Sequence, residues 1–392
     1  MKKLGLLPKL IIAIILGIAI GAFAPEIIVA ILATFNSIFG NFLGFVIPLI
    51  IVGFVAPGIG DLGERAGKLL GATAGIAYGS TVLFGTITYV IASLLLPNFL
   101  EVGSINFNAT DPGEALVASL FTIEMPPVFG VMTALLIAFI LGLGMAAIKG
   151  DTLKKVVNEF SQIVEKVISV AIIPLLPIHI AGIFANMTYT GQVFTILSVF
   201  AKVFIMVLAI HWATLIAQFS IAGGLAGGNP LKMLKTLIPA YFTAVGTQSS
   251  AATIPVTLAQ TYKIGVRKDI ADFVVPLCAT IHLSGSTITL LSCSMAIMML
   301  NGQATTFAAI FPFILMLGVT MVAAPGVPGG AVMAALGILE TMLGFSQPML
   351  SLMIALYIAQ DSFGTACNVT GDAAIAVIVN KINGNKLEPI KE

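Results

Sequence analysis

Four polar residues recur inside the last long apolar segment of the chain, residues 347–380. They are separated by four, three and four positions: Asp361, Thr365, Asn368 and Asp372. On an α-helix this spacing places all four side chains on one face. A carboxylate in hydrocarbon costs several kcal/mol unless it is paired or binds a cation. The segment therefore predicts a membrane-embedded site for a cation and a substrate, with a buried structural network between helices as the alternative.

The composition indicates a polytopic membrane protein. Of 392 residues, 58% are hydrophobic and 9% are charged, and the mean hydropathy is +1.09, whereas soluble domains carry about 25% charged residues. The net charge of +1 says nothing about nucleic acid, and no group of basic residues suggests a nucleic-acid partner. The three cysteines have no paired spacing, so they indicate neither a disulfide framework nor a cysteine metal site.

The basic residues predict how the chain crosses the membrane. Besides the two ends of the chain, they cluster in four places: 63–68, 149–155, 230–235 and 263–268. By the positive-inside rule these clusters and both termini are cytoplasmic in the cell membrane, and the acidic connection 98–125 is external. Lys202 lies near the external end of an apolar segment, where its side chain would reach outward. Six helices fit the first part of the chain: 8–30, 34–57, 64–97, 127–148, 160–186 and 195–222.

Three apolar segments in the second half of the chain are interrupted by small polar residues, glycine or proline. Residues 232–263 begin and end near basic residues and contain GTQSSAATIP, which predicts a re-entrant hairpin (hairpin 1). Residues 270–300 are interrupted by HLSGST at 282–287, and residues 304–345 (hairpin 2) by APGVPGG at 324–330. Paired interruptions of this kind are typical of inverted repeats around a transporter's midplane site. Ordinary helices kinked at proline are the alternative for each hairpin.

Together these motifs resemble the dicarboxylate/amino acid:cation symporter family, the glutamate-transporter homologues. The resemblance is specific in four blocks: GTQSSAATIPVT at 246–257, ATIHLSGST at 279–287, APGVPGGA at 324–331 and DSFGTACNVTGD at 361–372. It implies an all-α polytopic membrane protein with eight transmembrane helices, two re-entrant hairpins and inverted repeats. It also implies a homotrimer in the lipid bilayer, in which an elevator-type transport part moves against a rigid scaffold.

The resemblance divides the chain into these two parts. The scaffold holds helices 1 and 2 within 1–60 and helices 4 and 5 within 127–194. The transport part holds helix 3 within 61–100 and all of 195–392, that is, helix 6, hairpin 1, helix 7, hairpin 2 and helix 8. Residues 101–126 form an external loop.

The resemblance also assigns binding residues for an amino-acid substrate. It implies that Asp361 binds the α-ammonium group, and that Asn368 and the serines of hairpin 1 receive the α-carboxylate. The tip of hairpin 2 closes over the substrate. The full expected set is Ser249, Ser250, Ser286, Gly326, Val327, Asp361, Gly364, Thr365 and Asn368.

Sodium is the coupling ion that the resemblance implies. One ion is expected at Asp372 and Asn368, with His282 beside them, and a second at the carbonyl groups around Ala323 and Ala324 of hairpin 2. Hard cations take oxygen ligands, and the exposed carbonyls of a broken helix supply them without added charge.

Two departures from the family pattern bear on the substrate. Members that transport acidic amino acids have an arginine where this chain has Gly364, and the alternative arginine position is Gln248. A substrate side-chain carboxylate would therefore be buried without a cationic partner, at a cost of several kcal/mol. We expect a neutral substrate like serine, threonine or alanine, as in the bacterial serine/threonine:sodium symporters that the chain resembles more closely.

A third departure bears on the ions. Ser284 replaces the family's aspartate at a third sodium site, and the oxygen ligands of the third helix fall on Ala74, Ala77 and Tyr78. We therefore expect coupling to two sodium ions rather than three. The alternative is proton or mixed-ion coupling through His282, whose unperturbed pKa is near 6.5, in a transporter of another small amino acid or carboxylate.

Functions of other classes fit the sequence less well. An intramembrane aspartyl protease needs two carboxylates about 3 Å apart, whereas eleven residues separate Asp361 from Asp372 by about 16 Å along a helix. A serine hydrolase using Ser284 and His282 lacks a nearby orienting acid. Paired hairpins favour alternating access over a passive channel. The sequence thus predicts a secondary active symporter and not an enzyme.

Overall fold

The computed structural model describes residues 6–64, 68–105, 117–148, 150–191, 193–322, 324 and 328–387. Within these ranges the regular structure is entirely helical. The α-helices, in chain order, are α1 Leu6–Phe23, α2 Glu26–Glu64, α3 Lys68–Leu95, α4 Val131–Ala147, α5 Thr152–Val167, α6 Ile173–Tyr189, α7 Val193–Ala226, α8 Pro230–Thr236, α9 Ile238–Thr247, α10 Ser250–Ile264, α11 Lys268–Ile281, α12 Ser284–Leu300, α13 Phe307–Val322, α14 Gly330–Leu343 and α15 Gln347–Ile382.

Much of this helical structure is long and apolar enough to cross a membrane. In the part of the chain that the structure describes, six segments meet that requirement by length and composition: Glu26–Pro57, Leu69–Asn98, Thr152–Tyr189, Leu197–Ala226, Lys268–Leu300 and Gln347–Ile382. Their outer faces carry exposed isoleucine and leucine side chains, such as Leu94 and Ile205. These helices, with their apolar surfaces, make a multi-pass membrane protein.

The fifth predicted helix, 160–186, is longer than expected and irregular. A π-helical turn, Ile168–Ile172, joins α5 to α6, so that helical structure continues from Thr152 to Tyr189. Pro174 and Pro177 follow this turn. Proline donates no backbone N–H and crowds the preceding turn, which disturbs the regular hydrogen bonding of a helix.

The chain breaks its helices at the three interruptions found in the sequence. Hairpin 1 turns at Gln248 and Ser249, between α9 and α10, whereas Pro255 lies inside α10. The α11–α12 break is at His282 and Leu283, and the α13–α14 break lies between Val322 and Gly330. At each break backbone N–H and C=O groups lose their helical partners and become available to other groups.

Helix α15 is the centre of the fold. Almost all of its residues from Met349 to Asn380 are buried, and it packs against α7, α9, α11 and α12. A second group of helices contains α1, α2, α4 and α6, with α2 against α4 and α1 against α6. The polar face of α15 therefore lies inside the protein, where it meets the helix breaks.

Candidate functional site

Asn368 of α15 binds the start of α12. Its side-chain oxygen accepts hydrogen bonds from the backbone N–H groups of Gly285 (2.7 Å) and Ser286 (3.2 Å). Its amide nitrogen donates to the Ser286 hydroxyl at 2.9 Å. The first N–H groups of a helix have no intrahelical acceptor. The side-chain oxygen of Asn368 supplies an acceptor to two of these groups at the start of α12. Two predicted site residues, Asn368 and Ser286, are in direct contact.

Asp361 lies one helical turn before Thr365 and faces the break in hairpin 2. The Asp361 carboxylate is 4% exposed. One of its oxygens accepts the backbone N–H of Gly329 at 2.7 Å, and the other accepts the Thr365 hydroxyl at 3.4 Å. The long Thr365 contact is a weak hydrogen bond. A cationic donor at that oxygen would form a stronger, charge-assisted bond.

Asp372 lies at the opposite end of the polar face, beside the α11–α12 break. The Nδ1 atom of His282 is 3.0 Å from a carboxylate oxygen of Asp372, and the two side chains are 0% and 1% exposed. The other ring nitrogen of His282 is 3.1 Å from the Ser80 hydroxyl of α3. The Gln218 amide nitrogen of α7 donates to Ser80 at 3.1 Å and to Ser284 at 3.3 Å. Four helices thus contribute to one buried polar cluster.

The donors and acceptors of this cluster form a consistent chain. The Gln218 amide donates to Ser80, and Ser80 can donate to the second ring nitrogen of His282. With Asp372 ionised, its carboxylate accepts the proton of the His282 Nδ1 atom. A neutral imidazole and an ionised aspartate satisfy every one of these contacts.

One polar atom of the cluster remains without a partner. The side-chain oxygen of Gln218 is buried and makes no hydrogen bond to the residues that the structure describes. It lies 2.6 Å from the position that a Cβ atom on Gly371 would occupy, directly before Asp372 in α15. A buried carbonyl oxygen without a donor costs about 1–3 kcal/mol, and the same oxygen suits a bound cation.

Two glycines allow the helices to approach this closely. A Cβ atom on Gly285 would lie 2.5 Å from the Gly364 carbonyl oxygen and 2.6 Å from the Cys367 Cβ atom. A Cβ atom on Gly371 would lie 2.9 Å from the His282 ring. These distances are shorter than non-bonded contacts allow. The packing of α15 against the α11–α12 break therefore requires glycine at both positions.

The remaining predicted residues are spread along this region. At the tip of hairpin 1, Ser249 caps α10 by accepting the Ala252 N–H at 3.3 Å, and Ser250 is buried. Gly364 faces the start of α12, and a Cβ atom built on it would lie 3.5 Å from the Thr289 hydroxyl. Ala324 is buried in the hairpin 2 break. Three predicted residues lie outside the described ranges: Ala323, Gly326 and Val327.

Gln248 connects hairpin 1 to α15. Its side-chain nitrogen donates to the Ser362 hydroxyl at 2.8 Å, directly after Asp361 in the chain. Its backbone has φ 53°, in the left-handed region that side chains other than glycine rarely adopt. Such strain persists where surrounding contacts hold it and is frequent at functional sites. The hairpin tip is therefore fixed beside the Asp361 end of the polar face of α15.

The expected loss of oxygen ligands on the third helix stays a prediction. Tyr78 donates to the Leu315 carbonyl of α13 at 3.3 Å, and Ala77 is packed among apolar side chains. Ser80 of α3 contacts His282. This hydroxyl beside the α11–α12 break was not among the predicted positions.

Gln218 and His211 of α7 were missed as neighbours of the site. His211 has a ring nitrogen 2.9 Å from the Gly285 carbonyl and 3.2 Å from the Thr289 hydroxyl, so it supports the start of α12. The spacing of these two residues, seven positions or about two turns, places them on one face of α7. Two buried polar side chains on one face of an apolar helix are the signal that would have found them.

A multi-pass membrane protein with interrupted helices around a buried polar site has the architecture that is typical of a secondary transporter. The chain belongs to the sodium:dicarboxylate symporter family, whose sequence profile matches residues 6–382. This confirms the family that the four motif blocks predicted, and it identifies the chain as a symporter.

Individual relatives match over almost the whole chain. The serine/threonine transporter SstT of Acinetobacter baumannii strain AYE is 27% identical over 393 residues, which covers 97% of each chain. The protein of the same name from strain SDF is 28% identical over 393 residues, with the same coverage. A proton/sodium-glutamate symport protein of Bacillus caldotenax is 26% identical over 414 residues, covering 98% of this chain and 96% of its own.

Proposed function

We propose that this symporter transports a small neutral amino acid of the serine, threonine or alanine type together with sodium, by alternating access. The observation that carries the proposal is the surroundings of Asp361. Its carboxylate is buried between α15 and the hairpin 2 break, with hydrogen-bond donors but no basic side chain of the described residues in contact. A buried carboxylate of this kind suits the α-ammonium group of an amino acid, because opposite charges compensate each other's desolvation.

The expected neutrality of the substrate side chain has support from the same region. Gly364 adds no charge three residues after Asp361, and Gln248 offers an amide to Ser362. A substrate with a second carboxylate would have no guanidinium or ammonium to pair with at either position. Serine and threonine side chains need only a neutral hydrogen-bond partner. The names of the Acinetobacter relatives agree with this class of substrate.

For the coupling ion we propose sodium near Asp372. Asp372 supplies a full negative charge, and the unpartnered oxygen of Gln218 lies beside the same turn of α15. Both groups are oxygen donors, the ligand type that a hard cation takes. Sodium bound there would neutralise Asp372 inside the membrane. The carbonyl groups of hairpin 2 near Ala324 are the proposed second ion position.

Proton coupling is the second candidate, and the contact between His282 and Asp372 favours it. A histidine beside a carboxylate can carry a proton across the membrane, as in other proton-coupled transporters. The unpartnered Gln218 oxygen beside Asp372, an oxygen ligand for a hard cation, is the reason for our preference for sodium. The two candidates make opposite predictions for transport in sodium-free buffer.

Alternating access needs two parts that move relative to each other. We propose the scaffold and transport parts that the family resemblance implies, with eight crossing helices, two re-entrant hairpins and assembly as a homotrimer in the cell membrane. In support, α14 of hairpin 2 packs against α2 and α4 of the proposed scaffold, whereas hairpin 1 packs mainly within the transport part, against α11 and α15. Lys232 and Lys263 near its ends indicate the cytoplasmic side. These contacts support a cytoplasm-facing arrangement of the two proposed parts.

The deciding experiment is uptake by purified protein in liposomes. A competition screen of all amino acids against labelled serine, with and without a sodium gradient, tests substrate and ion together. We expect competition by small neutral amino acids and dependence on sodium. Tight competition by glutamate would contradict the proposed substrate, and uptake driven by a proton gradient without sodium would support the second candidate.

A further inference from the structure

The outer surface of the protein has an apolar groove that the transport site does not use. Helices α3 and α7 both pack against α12, and a groove of about 510 Å³ remains between them. Its walls are largely isoleucine, leucine, methionine and alanine side chains. Ile205 in the groove is 67% exposed, so the groove opens to the surface. In a membrane protein such a surface faces lipid.

One end of the groove carries a single positive charge. Lys202 of α7 lines the groove, and its ammonium group donates to the backbone carbonyl of Phe99 at 3.1 Å. Phe99 directly follows the last turn of helix after α3. An ammonium group has three N–H donors, and no carboxylate among the described residues lies within ion-pair distance of Lys202. Among the described residues the charge is held in place by a carbonyl group but is not neutralised by a carboxylate.

The length of the groove along α7 matches the thickness of one leaflet of the hydrocarbon core. On α7 its lining residues run from Lys202 to Ala213, and eleven residues of α-helix span about 16 Å. Half of a hydrocarbon core of about 30 Å is about 15 Å. Phe99 and Lys202 mark the external end, because the connection that begins at Phe99 is acidic and the cytoplasmic ends of these helices are basic.

We propose that this groove binds a phospholipid of the external leaflet with an anionic headgroup. Its phosphate lies on the Lys202 ammonium group, and one acyl chain lies along the groove as far as Ala213. The lipid neutralises a lysine at the edge of the hydrocarbon that pairs with no carboxylate of the described residues. Because α3 and α7 also carry Ser80 and Gln218, the lipid contacts the two helices that hold the polar cluster around Asp372.

The test measures lipid selectivity of the full-length protein. Purified protein in mild detergent is incubated with phosphatidylglycerol or phosphatidylcholine, and retained lipid is counted by native mass spectrometry. One lysine near the membrane surface contributes about 1 kcal/mol towards an anionic headgroup, or about a fivefold preference for phosphatidylglycerol. We expect this preference in the unmodified protein and in Lys202→Arg, and its loss in Lys202→Gln.

Matched variants separate the headgroup contact from general effects. Lys235→Gln removes an exposed lysine of α8 and should leave the preference unchanged. Ala209→Phe fills the groove without touching Lys202 and should reduce retention of both lipids. Equal retention of the two lipids by the unmodified protein, or an undiminished preference in Lys202→Gln, would overturn the proposal.

The position of the lipid has an independent readout. Trp212 is the only tryptophan of the chain; it follows Ala209 by three residues on α7 and is 36% exposed. In vesicles, phosphatidylglycerol with brominated acyl chains should quench Trp212 fluorescence more than brominated phosphatidylcholine does at the same fraction. Equal quenching by the two lipids in the unmodified protein would contradict a site at this groove.

Discussion

The imidazole of His282 lies 3.0 Å from the carboxylate of Asp372, and both side chains are almost completely buried. His282 lies in the break between α11 and α12, and Asp372 lies in α15. Their contact therefore joins the broken helix to the central helix. It also means that a cation at Asp372 shares the carboxylate with a histidine. The ion site that we propose at Asp372 therefore includes the helix break.

The first prediction concerns Asp361 and the substrate. Asp361→Asn removes the charge that we assign to the substrate's ammonium group and should weaken substrate binding by about 2–5 kcal/mol, or tens to thousands of fold. Folding should be retained, because a neutral amide can still accept the Gly329 N–H. Binding of labelled serine to purified protein measures the effect. Asp272→Asn, at an exposed acid of α11, is the control, and unchanged affinity in Asp361→Asn would exclude Asp361 from the site.

The second prediction concerns selectivity. Gly364→Arg should create affinity for aspartate or glutamate and weaken binding of serine, because a guanidinium offers two parallel donors to a carboxylate. A Cβ atom at position 364 makes only ordinary contacts, the nearest being 3.5 Å from the Thr289 hydroxyl. Competition binding with both substrates measures the change. Gly364→Ala adds the Cβ atom without charge and should keep the original preference; a matching loss of serine binding there would mean that bulk alone is responsible.

The third prediction concerns packing at the helix break. Gly285→Ala should lower stability by about 1–3 kcal/mol, because the new methyl group overlaps the Gly364 carbonyl and Cys367. The measurement is the apparent melting temperature in detergent. Gly79→Ala is the matched control: its Cβ atom meets nothing within 4 Å, and alanine is favoured over glycine in a helix by about 0.5–1 kcal/mol. Equal melting temperatures for the two variants would contradict the close packing.

Some of the site could be predicted because its information is local. The row from Asp361 to Asp372 follows from the helical period alone, and the structure places all four residues of that row in buried polar contacts. The helix breaks at residues 248 and 282 could be placed because small polar residues interrupt long apolar segments there. Both signals lie within a few residues of the feature that they indicate.

The contributions of other helices could not be predicted in the same way. Ser80 and Gln218 meet although they are separated by 138 positions, and their contact depends on how far α3 and α7 are rotated and shifted against α12. One sequence carries no measure of that register. The left-handed backbone of Gln248 was equally hidden, because it follows from a tight turn rather than from the residue type.

The fourth prediction tests the cytoplasm-facing arrangement. Ala252, near the tip of hairpin 1, is exposed, whereas Ala334 of α14 is 4% exposed. With cysteine at these positions, a membrane-impermeant maleimide should label Ala252→Cys in inside-out vesicles and leave Ala334→Cys unlabelled. Background should be low, because the native cysteines are all buried: Cys278, Cys293 and Cys367. Labelling of Ala334→Cys alone would reverse the proposed direction of access.

The last prediction concerns the number of coupled ions. Asp372 and hairpin 2 offer positions for two sodium ions, and the imidazole of His282 fills the space between Asp372 and Ser80 where further oxygen ligands would be needed. Each sodium ion moved across 100 mV contributes about 2.3 kcal/mol, so two ions support a much smaller substrate gradient than three. Reversal potentials in liposomes measure this number directly.

Variants of His282 show which part of the residue matters for coupling. His282→Asn keeps a hydrogen-bonding side chain and the backbone carbonyl, and we expect it to remain sodium-dependent with an unchanged coupling number. Reversing an imposed pH gradient should change transport little in either protein. A fitted coupling of three sodium ions in the unmodified protein would contradict the assignment. Proton-driven uptake in sodium-free buffer that disappears in His282→Asn would show instead that His282 and Asp372 carry the proton.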